Sequence, residues 1–488
     1  METLGDLVRS RARDRRPVLI DDPTGAVVAG TELAARVEAR ARALADAGVR
    51  PGDRVALLLP NSLACAESLL AVAGTGAAAV PINLRWTAAE VDRLLADAEP
   101  RVLVAAEGRV AALGRLEHCP PLLSPDAMRA AGSAPAAPGP DDPALILYTS
   151  GTTGRAKGAM LTHRNLVSNA RVIAAWLRLG PTDRFLMVMP LFHANAIMLG
   201  LLTPLLAGAG TVIAERFRAP AFWASVDRYR PTTAGTVPTM LAMLLALPEP
   251  SVPFARSSLR FLLTGSAPVP ADLLRAFEAR FGVPVIEGYG LTECTCRATF
   301  NPIDGRRRPG SCGLPLEPLR IVDAEDRDVA PGEIGEIVLR GPHVMRGYFR
   351  DPTATAAALR GGWLHSGDLG RIDPDGFVHV VGRASEMIIR GGENVYPREI
   401  EETLLAHPDV AEAAVVGAPD ALYGEVVWAF LVSRADGTLD EGSVARWCSE
   451  RLADFKRPAR ITIVPELPKG PTGKILKAPL RTLAATQP

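Results

Sequence analysis

The sequence predicts an α/β fold with parallel strands, followed by a smaller C-terminal domain. Continuous apolar runs alternate with helical stretches, and they occupy residues 54–59, 101–105, 145–148, 185–189 and 260–263. Such runs are typical of parallel strands that helices cover on both faces. The pattern changes near Arg383, where a compact α/β segment of about 100 residues begins, a usual size for a domain. We therefore predict a large N-terminal domain, residues 1–383, and a small mobile C-terminal domain, residues 384–488.

The N-terminal helices and strands follow from local signals. Residues 31–47 are rich in Ala and Arg and predict a helix, which a Pro51-Gly52 turn separates from the first apolar run. Residues 196–214 are nearly all apolar and long enough to suggest a membrane span. Pro204 and Gly208 interrupt this stretch, so we predict a buried helix, a turn and a buried strand instead.

The C-terminal segment also has a readable order of elements. Pro397 and the acids after it suit the first turn of a helix, and Ile400, Leu404 and Leu405 form its apolar stripe. Two strands and a further helix are predicted after it, at residues 411–416, 426–432 and 443–452. The domain is therefore expected to be a small α+β unit.

Composition excludes several functions. Across 488 residues the formal net charge is zero and the pI is about 7.1, which argues against nucleic acid as a partner. The six cysteines are scattered without a CxxC pair, as expected for reduced thiols in the cytoplasm. The seven histidines do not cluster as metal ligands, and the N-terminus has no signal-peptide pattern. We expect a cytoplasmic enzyme without a membrane span.

The placement of lysine indicates phosphate chemistry. The chain has five lysines against 49 arginines, and Lys157 ends a hydroxyl-rich and glycine-rich loop directly after a predicted strand. Hydroxyls, glycines and free backbone N–H groups in such a loop suit phosphate oxygens, and lysine supplies a compact point charge. The loop residues concerned are Thr149, Ser150, Gly151, Thr152, Thr153 and Gly154. A Walker-type NTPase is the competing interpretation, but Gly158 stands where that motif requires Ser or Thr.

At this loop, and through further segments in the same order along nearly the whole chain, the sequence resembles the adenylate-forming superfamily. That superfamily comprises acyl-CoA synthetases, the adenylation domains of peptide synthetases and luciferases. The resemblance implies an acyl-CoA synthetase-like fold with ATP, Mg²⁺ and coenzyme A as cofactors. In the segment Glu287-Gly288-Tyr289-Gly290-Leu291-Thr292-Glu293 it implies that Tyr289 stacks on adenine, Thr292 binds the α-phosphate and Glu293 holds Mg²⁺. An aromatic face, a hydroxyl and a hard carboxylate suit these three partners.

Other segments carry the remaining implied roles. Asp368, in Gly362-Trp363-Leu364-His365-Ser366-Gly367-Asp368, would accept the ribose hydroxyls, and Arg383 would contact the same sugar. Lys474, in Pro471-Thr472-Gly473-Lys474, would be the adenylation lysine. The acyl pocket would be lined by segments containing His193, Asn195, Gly265, Ser266, Gly288 and Gly290.

The family resemblance also implies a second half-reaction, the transfer of the acyl group to a thiol, and assigns a glycine pair and a hinge residue to it. Gly391 and Gly392 would line a pantetheine tunnel after rotation of the C-terminal domain about Ser385. The family more often has Asp or Lys at this hinge, so Ser385 is a departure, but small residues can serve as hinges.

We therefore predict ATP-dependent activation of a carboxylic acid to acyl-AMP, followed by transfer to coenzyme A. No carrier domain follows Lys474, which favours coenzyme A as the acceptor. Transfer to a separate carrier protein, an amine or another nucleophile is the alternative; a non-catalytic binding homologue and a luciferase-type oxygenase are further ones. Fatty, aryl and arylacrylic acids are all candidate substrates. A dicarboxylate is disfavoured because the pocket segments lack Arg and Lys, although nearby Arg297 leaves that question open.

Overall fold

The computed structural model describes residues 1–128, 137–150, 156–248, 258–267, 269–434, 439–470 and 475–486. The chain divides into two compact units. The first comprises Met1–Leu319 and Leu339–His365, and the second comprises Arg320–Val338 and Ser366–Pro488. A functional hinge need not coincide with the edge of a compact unit, so the domain boundary at residue 384 stays a prediction.

Helices and strands alternate through most of the described chain. The α-helices are α1 Leu4–Arg11, α2 Gly30–Asp46, α3 Leu63–Gly74, α4 Ala88–Ala98, α5 Glu107–Leu113, α6 His163–Trp176, α7 Thr203–Ala207, α8 Ala219–Tyr229, α9 Pro238–Leu245, α10 Ala271–Phe281, α11 Pro352–Ala358, α12 Pro397–Leu405, α13 Glu441–Ser449 and α14 Lys477–Thr486. The strands are β1 Pro17–Asp21, β2 Val27–Ala29, β3 Arg54–Leu58, β4 Ala78–Pro81, β5 Val102–Ala105, β6 Leu122–Leu123, β7 Pro143–Ser150, β8 Ala156–Thr162, β9 Arg184–Met187, β10 Gly210–Ile213, β11 Thr233–Gly235, β12 Phe261–Thr264, β13 Val285–Glu287, β14 Thr299–Phe300, β15 Leu314–Pro315, β16 Leu319–Val322, β17 Gly335–Leu339, β18 Gly347–Tyr348, β19 Leu364–Ile372, β20 Val378–Arg383, β21 Ile388–Arg390, β22 Glu393–Val395, β23 Val410–Asp420, β24 Gly424–Ser433 and β25 Arg460–Ile463.

Two seven-stranded sheets organise the first unit. One has the order β13-β12-β11-β9-β10-β1-β2 and is parallel except for β2. The other has the order β18-β8-β7-β4-β3-β5-β6, with β8 and β18 antiparallel to their neighbours. The five apolar runs of the sequence correspond to β3, β5, β7, β9 and β12, so the predicted parallel α/β architecture is confirmed.

The apolar stretch at residues 196–214 forms helical segments and one strand of the first sheet. It forms a buried π-helix, Ala196–Leu202, which continues into α7 and then into the buried strand β10. The Oγ1 of Thr211 in β10 donates a hydrogen bond to the Gly200 carbonyl at 2.7 Å, which ties the strand to the π-helix. No helix among the described residues is long and apolar enough to cross a membrane.

The second unit contains two sheets. Strands β16-β17-β19-β20 form a four-stranded sheet, most of which lies in this unit, and β22-β21-β24-β23 with β25 beside β24 form a five-stranded one. Helix α12 packs Ile400 and Leu404 onto the inner face of the five-stranded sheet, where Val415 and Val427 are fully buried. The apolar stripe predicted for this helix is therefore confirmed. The two predicted strands extend further than the sequence suggested, to β23 and β24.

Candidate active site

The predicted phosphate loop lies between two antiparallel strands of the second sheet in the first unit. Strand β7 ends at Ser150, β8 begins at Ala156, and Thr149 stands directly opposite Lys157. The register therefore fixes Lys157 at the strand end that adjoins the loop. Gly151, Thr152, Thr153 and Gly154 lie outside the described residues, so their predicted phosphate contacts stay predictions.

A carboxylate, a phenol and an ammonium group come together beside this hairpin. The Tyr348 hydroxyl donates a hydrogen bond to Oε1 of Glu293 at 2.9 Å. The Nζ of Lys157 lies 5.2 Å from the centroid of the Tyr348 ring, at cation–π distance. Strand β18 places Tyr348 there by pairing with β8, where Tyr348 stands opposite Ala159. The fold thus brings Lys157 and Glu293 together through Tyr348, which no sequence motif indicated.

The predicted adenine segment follows β13 and is partly exposed. The Tyr289 N–H donates to Oγ1 of Thr299 at 3.1 Å, and Tyr289's carbonyl accepts from the N–H groups of Ala298 and Thr299. Thr292 and Glu293 lie in the short 3₁₀ helix Thr292–Cys294. Because all three proposed ligand-binding side chains of this segment are only partly buried, they are accessible to a nucleotide.

The predicted acyl pocket lies at the carboxyl ends of the parallel strands of the first sheet. Gly265 and Ser266 follow β12, Gly288 follows the neighbouring β13, and the Gly288 N–H donates to the Thr264 carbonyl at 3.2 Å. Gly290 packs against the backbone of Cys296. Ligands of open parallel sheets bind at this edge, where polar loops follow buried strands.

Two side chains that are predicted for this pocket, and that come from different segments of the chain, form a hydrogen bond with each other. The Asn195 amide Nδ2 donates to Oγ of Ser266 at 3.4 Å, and Ser266 has a left-handed backbone with φ of +67°. The Nε2 of His193 is enclosed without a hydrogen-bond partner among the described residues. Burial lowers the pKa of His193 to about 4, so its ring is neutral near pH 7. Burial also raises the pKa of the Cys294 thiol to about 12, which favours the neutral thiol near pH 7.

The predicted ribose residues meet in the second unit. Asp368 in β19 stands directly opposite Arg383 in β20, and Arg383 Nε lies 2.7 Å from Oδ1 of Asp368. The Arg383 Nη1 also donates to the Ser366 carbonyl at 3.2 Å, while the Asp368 N–H donates to the Ser366 hydroxyl at 3.0 Å. Asp368 is buried, and the ion pair with Arg383 holds its carboxylate in place.

The predicted hinge and tunnel residues are both exposed. Ser385 lies in the single 3₁₀ turn Ala384–Glu386 directly after β20. Gly391 and Gly392 connect β21 to β22, with φ of +60° and +90°, and Arg390 pairs with Glu393 across them. A two-residue hairpin loop with two positive φ angles is a type I′ geometry, which explains why both positions are glycine.

Lys474 lies outside the described residues, but the segment around it is defined on both sides. Lys469 and Ile475 pair as an antiparallel bridge, and the Leu476 N–H donates to the Pro468 carbonyl at 2.8 Å. The remaining C-terminal lysines hold carboxylates: Lys456 binds Glu399 at 2.7 Å, Lys469 binds Glu412 at 2.5 Å, and Lys477 binds Glu401 at 2.7 Å and Glu386 at 3.1 Å. Lys157 makes no ion pair with a described residue, so it differs from these three.

Comparison with known proteins assigns the family. The AMP-binding enzyme family matches residues 8–349, and the AMP-binding enzyme C-terminal domain matches residues 399–474. The chain belongs to the AMP-binding enzyme family. It is 39% identical to a sulfoacetate–CoA ligase of Cupriavidus necator over 98% of this chain and 97% of the relative. It is 41% identical to a feruloyl-CoA synthase of an Amycolatopsis species over 94% of each chain.

A solved structure gives the same result for the fold. ATP-bound MatB from Rhodopseudomonas palustris matches with a TM-score of 0.92 and 34% identity, over 99% of this chain and 98% of that one. These comparisons confirm the predicted superfamily, the acyl-CoA synthetase fold, the AMP-forming ligase function and the cofactors ATP, Mg²⁺ and coenzyme A. The roles of individual residues stay predictions.

The described residues fit Mg²⁺ that is bound together with a nucleotide. No group of three or more His, Cys, Asp or Glu side chains among them could hold a metal by itself. Mg²⁺ commonly takes one or two carboxylates and completes its shell with phosphate oxygens and water. Glu293, which is partly exposed and oriented by Tyr348, provides one such carboxylate.

Proposed function

We propose that this CoA ligase activates its acid at the strand ends of the first unit, with Lys157, Thr292 and Glu293 binding the triphosphate and its metal. The observation that carries the proposal is the group of Glu293, Tyr348 and Lys157, which places a carboxylate and a cation beside the phosphate loop. A carboxylate for a metal and a cation for phosphate are the two charges that bound ATP requires.

In the first half-reaction, an oxygen of the substrate carboxylate attacks the α-phosphorus of ATP and pyrophosphate leaves. Negative charge spreads over the α-phosphate in the transition state, and preorganised positive charge there stabilises it. Thr292 donates a hydrogen bond to the α-phosphate, and the ammonium group of Lys474 neutralises the developing charge. Glu293 would hold Mg²⁺ together with the nucleotide, and the ion would supply Lewis-acid stabilisation of the phosphates.

Nucleotide and acid are held by separate residues. Tyr289 stacks on adenine, and Asp368 accepts hydrogen bonds from the ribose hydroxyls. Arg383 holds the Asp368 carboxylate through an ion pair. Ser266 and the residues after β12 separate the nucleotide from the acyl group. His193 and Asn195 line the acyl side, where the neutral His193 ring acts as a hydrogen-bonding group rather than a cation.

In the second half-reaction, the thiol sulfur of coenzyme A attacks the acyl carbonyl and AMP leaves with the bridging oxygen. The hairpin turn at Gly391 and Gly392 lines the pantetheine path after rotation about Ser385. The exposure of both glycines and of Ser385 supports these roles. Fatty, aryl and arylacrylic acids stay candidates, and the relative that is a feruloyl-CoA synthase supports the last class.

Lys474→Ala tests whether Lys474 acts in the first half-reaction and not in the second. We expect adenylation, measured as ATP–pyrophosphate exchange, to slow by about 10²–10³, the usual loss of one preorganised charge at a developing anion. Thioester formation from pre-made acyl-AMP should stay near the wild-type rate. Equal damage to both half-reactions would show that Lys474 has another role.

The acceptor and the location need their own measurements. AMP release with coenzyme A, compared with release by a carrier protein or an amine, separates the proposed acceptor from the alternatives. We infer a cytoplasmic location, which is supported by six cysteines that are all free thiols. Wild-type rates with a carrier protein and none with coenzyme A would refute the proposed acceptor.

A further inference from the structure

A buried arginine approaches the predicted acyl segment and has no acidic partner in the described part of the chain. Arg297 is 2% exposed, and its Nε and Nη2 atoms have no hydrogen-bond partner among the residues that the structure describes. No carboxylate of the described residues forms an ion pair with its guanidinium group. The ring centroid of Phe300 is 5.3 Å from Cζ of Arg297. The guanidinium group is therefore shielded from solvent.

The backbone of Arg297 is held firmly, so the position is built into the fold. The Asn169 amide Nδ2 donates to the Arg297 carbonyl at 2.8 Å, and the Arg297 N–H donates to Oδ1 of Asn169 at 3.3 Å. Asn169 is itself fully buried in α6. A residue clamped in this way cannot easily turn its side chain toward solvent.

The guanidinium group reaches the acyl segment at Gly265. A Cβ atom at that position would lie 3.0 Å from Nη1 and 3.1 Å from Nη2 of Arg297. Gly265 therefore permits a close approach of the two groups that any larger residue would prevent. Ser266, the next residue, bonds to Asn195 of the pocket. The positive charge thus lies against the backbone of the segment that is proposed to face the acid.

Physical chemistry favours an anion as the missing partner. Arginine stays protonated in proteins, and burying an unpaired charge is strongly unfavourable. A cation–π contact with one phenylalanine offsets only a small part of that cost. His193, the other basic side chain of the pocket, is neutral near pH 7 because burial lowers its pKa to about 4. Arg297 is therefore a group that can select for negative charge in this region.

We propose that Arg297 binds a second acidic group, a carboxylate or a sulfonate, on the acid that the enzyme activates. The substrate is then a dianion rather than a hydrocarbon acid, which reverses the expectation drawn from the pocket segments alone. The planar fork of arginine matches the paired oxygens of such groups. This inference rests on the proposed function, since the first acidic group must be the carboxylate that is adenylated.

The test is ATP–pyrophosphate exchange with matched acids. Malonate, succinate and sulfoacetate are compared with malonamate, succinamate and methylsulfonylacetate, which keep the shape but lose the second charge. Acetate, hexanoate, phenylacetate and ferulate complete the panel. We expect the wild-type kcat/KM for at least one dianion to exceed that of its uncharged partner by about 10² or more, because a buried group built to bind a polar partner rejects an analogue that lacks it. The malonate, succinate and sulfoacetate pairs distinguish the carboxylate from the sulfonate.

Substitution then assigns this preference to Arg297. Arg297→Met should lower kcat/KM for the preferred dianion by about 10² or more and leave less than a threefold preference within that pair. Arg297→Lys keeps the charge without the fork and should retain part of the preference. Arg306→Met is the matched control, because Arg306 is exposed and pairs with Asp304 at 2.8 Å. It should leave the preference unchanged.

Each outcome separates the inference from the function on which it rests. If hydrocarbon acids support the fastest exchange and the charged acids gain nothing over their partners, Arg297 has no such role while acid activation stands. The inference also fails if Arg297→Lys and Arg297→Met both keep the full preference. Should Arg297→Met not fold, the wild-type preference and Arg297→Lys decide. Absence of exchange with every acid refutes the proposed function itself.

Discussion

The hydrogen bond from Tyr348 to Glu293 predicts a specific defect in Tyr348→Phe. This substitution removes the donor 2.9 Å from Oε1 of Glu293 and keeps the aromatic ring 5.2 Å from the Lys157 ammonium group. A hydrogen bond to a charged group contributes about 1.5–3 kcal/mol. Glu293 is partly exposed, so we take the lower part of that range, about 1.5–2 kcal/mol. At about 1.4 kcal/mol per factor of ten, adenylation should slow about 10- to 30-fold.

Pyrophosphate exchange measured over a series of Mg²⁺ concentrations is the assay for this defect. The loss should grow as Mg²⁺ becomes limiting, because the proposed task of the tyrosine is to orient a metal-binding carboxylate. Tyr348→Leu also removes the cation–π contact with Lys157, so it should cost a further two- to fivefold, the equivalent of about 0.5–1 kcal/mol. Thioester formation from pre-made acyl-AMP should not change in either variant.

Two comparisons decide whether the defect acts through Glu293. Combined with Glu293→Gln, the Tyr348→Phe change should have little further effect, because the two side chains share one interaction. Tyr229→Phe is the matched control, since its hydroxyl donates to the Asp22 carbonyl at 3.1 Å elsewhere in the first unit. Wild-type exchange in Tyr348→Phe at limiting Mg²⁺, or full additivity with Glu293→Gln, would refute this reasoning.

Three further predictions concern the second unit and acid stability. Gly391→Leu should preserve pyrophosphate exchange and reduce coenzyme A-dependent turnover. The reason is that φ is +60° at this position and a Cβ atom would lie only 3.3 Å from Tyr423, so a larger side chain crowds the turn. Loss of exchange would contradict the assignment of this turn to the second half-reaction. Ser385→Pro should leave one half-reaction intact and abolish steady-state turnover, since proline restricts both its own φ and the preceding residue; single-turnover rates check this, and normal turnover would remove Ser385 as the pivot. His343 is fully buried and burial lowers its pKa to about 4, so the neutral ring is favoured in the folded state. The contribution of this neutral ring to the free energy of unfolding should therefore be fully present above the unfolded pKa of about 6.5 and should fall by about 3 kcal/mol toward pH 4. The melting temperature of His343→Leu should fall less steeply than that of the wild type between pH 6.5 and 5.

Sequence patterns located most of the elements because burial on both faces leaves continuous apolar runs. The run at residues 145–148 became the core of β7, and the loop after it leads to Lys157 as predicted. The predicted helix at residues 31–47 became α2, Gly30–Asp46. The pairing of Asp368 with Arg383 agrees with a shared role that only the family resemblance implied. Its geometry comes from strand register, which a one-dimensional pattern does not contain.

The features that escaped prediction depend on contacts between residues far apart in the chain. Tyr348 lies 55 residues from Glu293, and the antiparallel pairing of β18 with β8 is what unites them. Arg297 follows the adenine segment closely, but its sequence neighbours do not reveal that its side chain reaches Gly265. The second unit combines residues 320–338 with a segment that begins at residue 366, and no local signal indicates that union.

Because the chain has few lysines, it offers few amines that its own acyl-AMP intermediate could acylate. An acyl-AMP is a mixed anhydride that can acylate an amine, whereas a guanidinium group stays protonated and is a poor nucleophile. Three of the four lysines that the structure describes form ion pairs with carboxylates. Arginine at 49 positions supplies positive charge without offering amine targets to the enzyme's own intermediate. Mass spectrometry after prolonged turnover should therefore find this protein far less acylated than a lysine-rich protein incubated beside it.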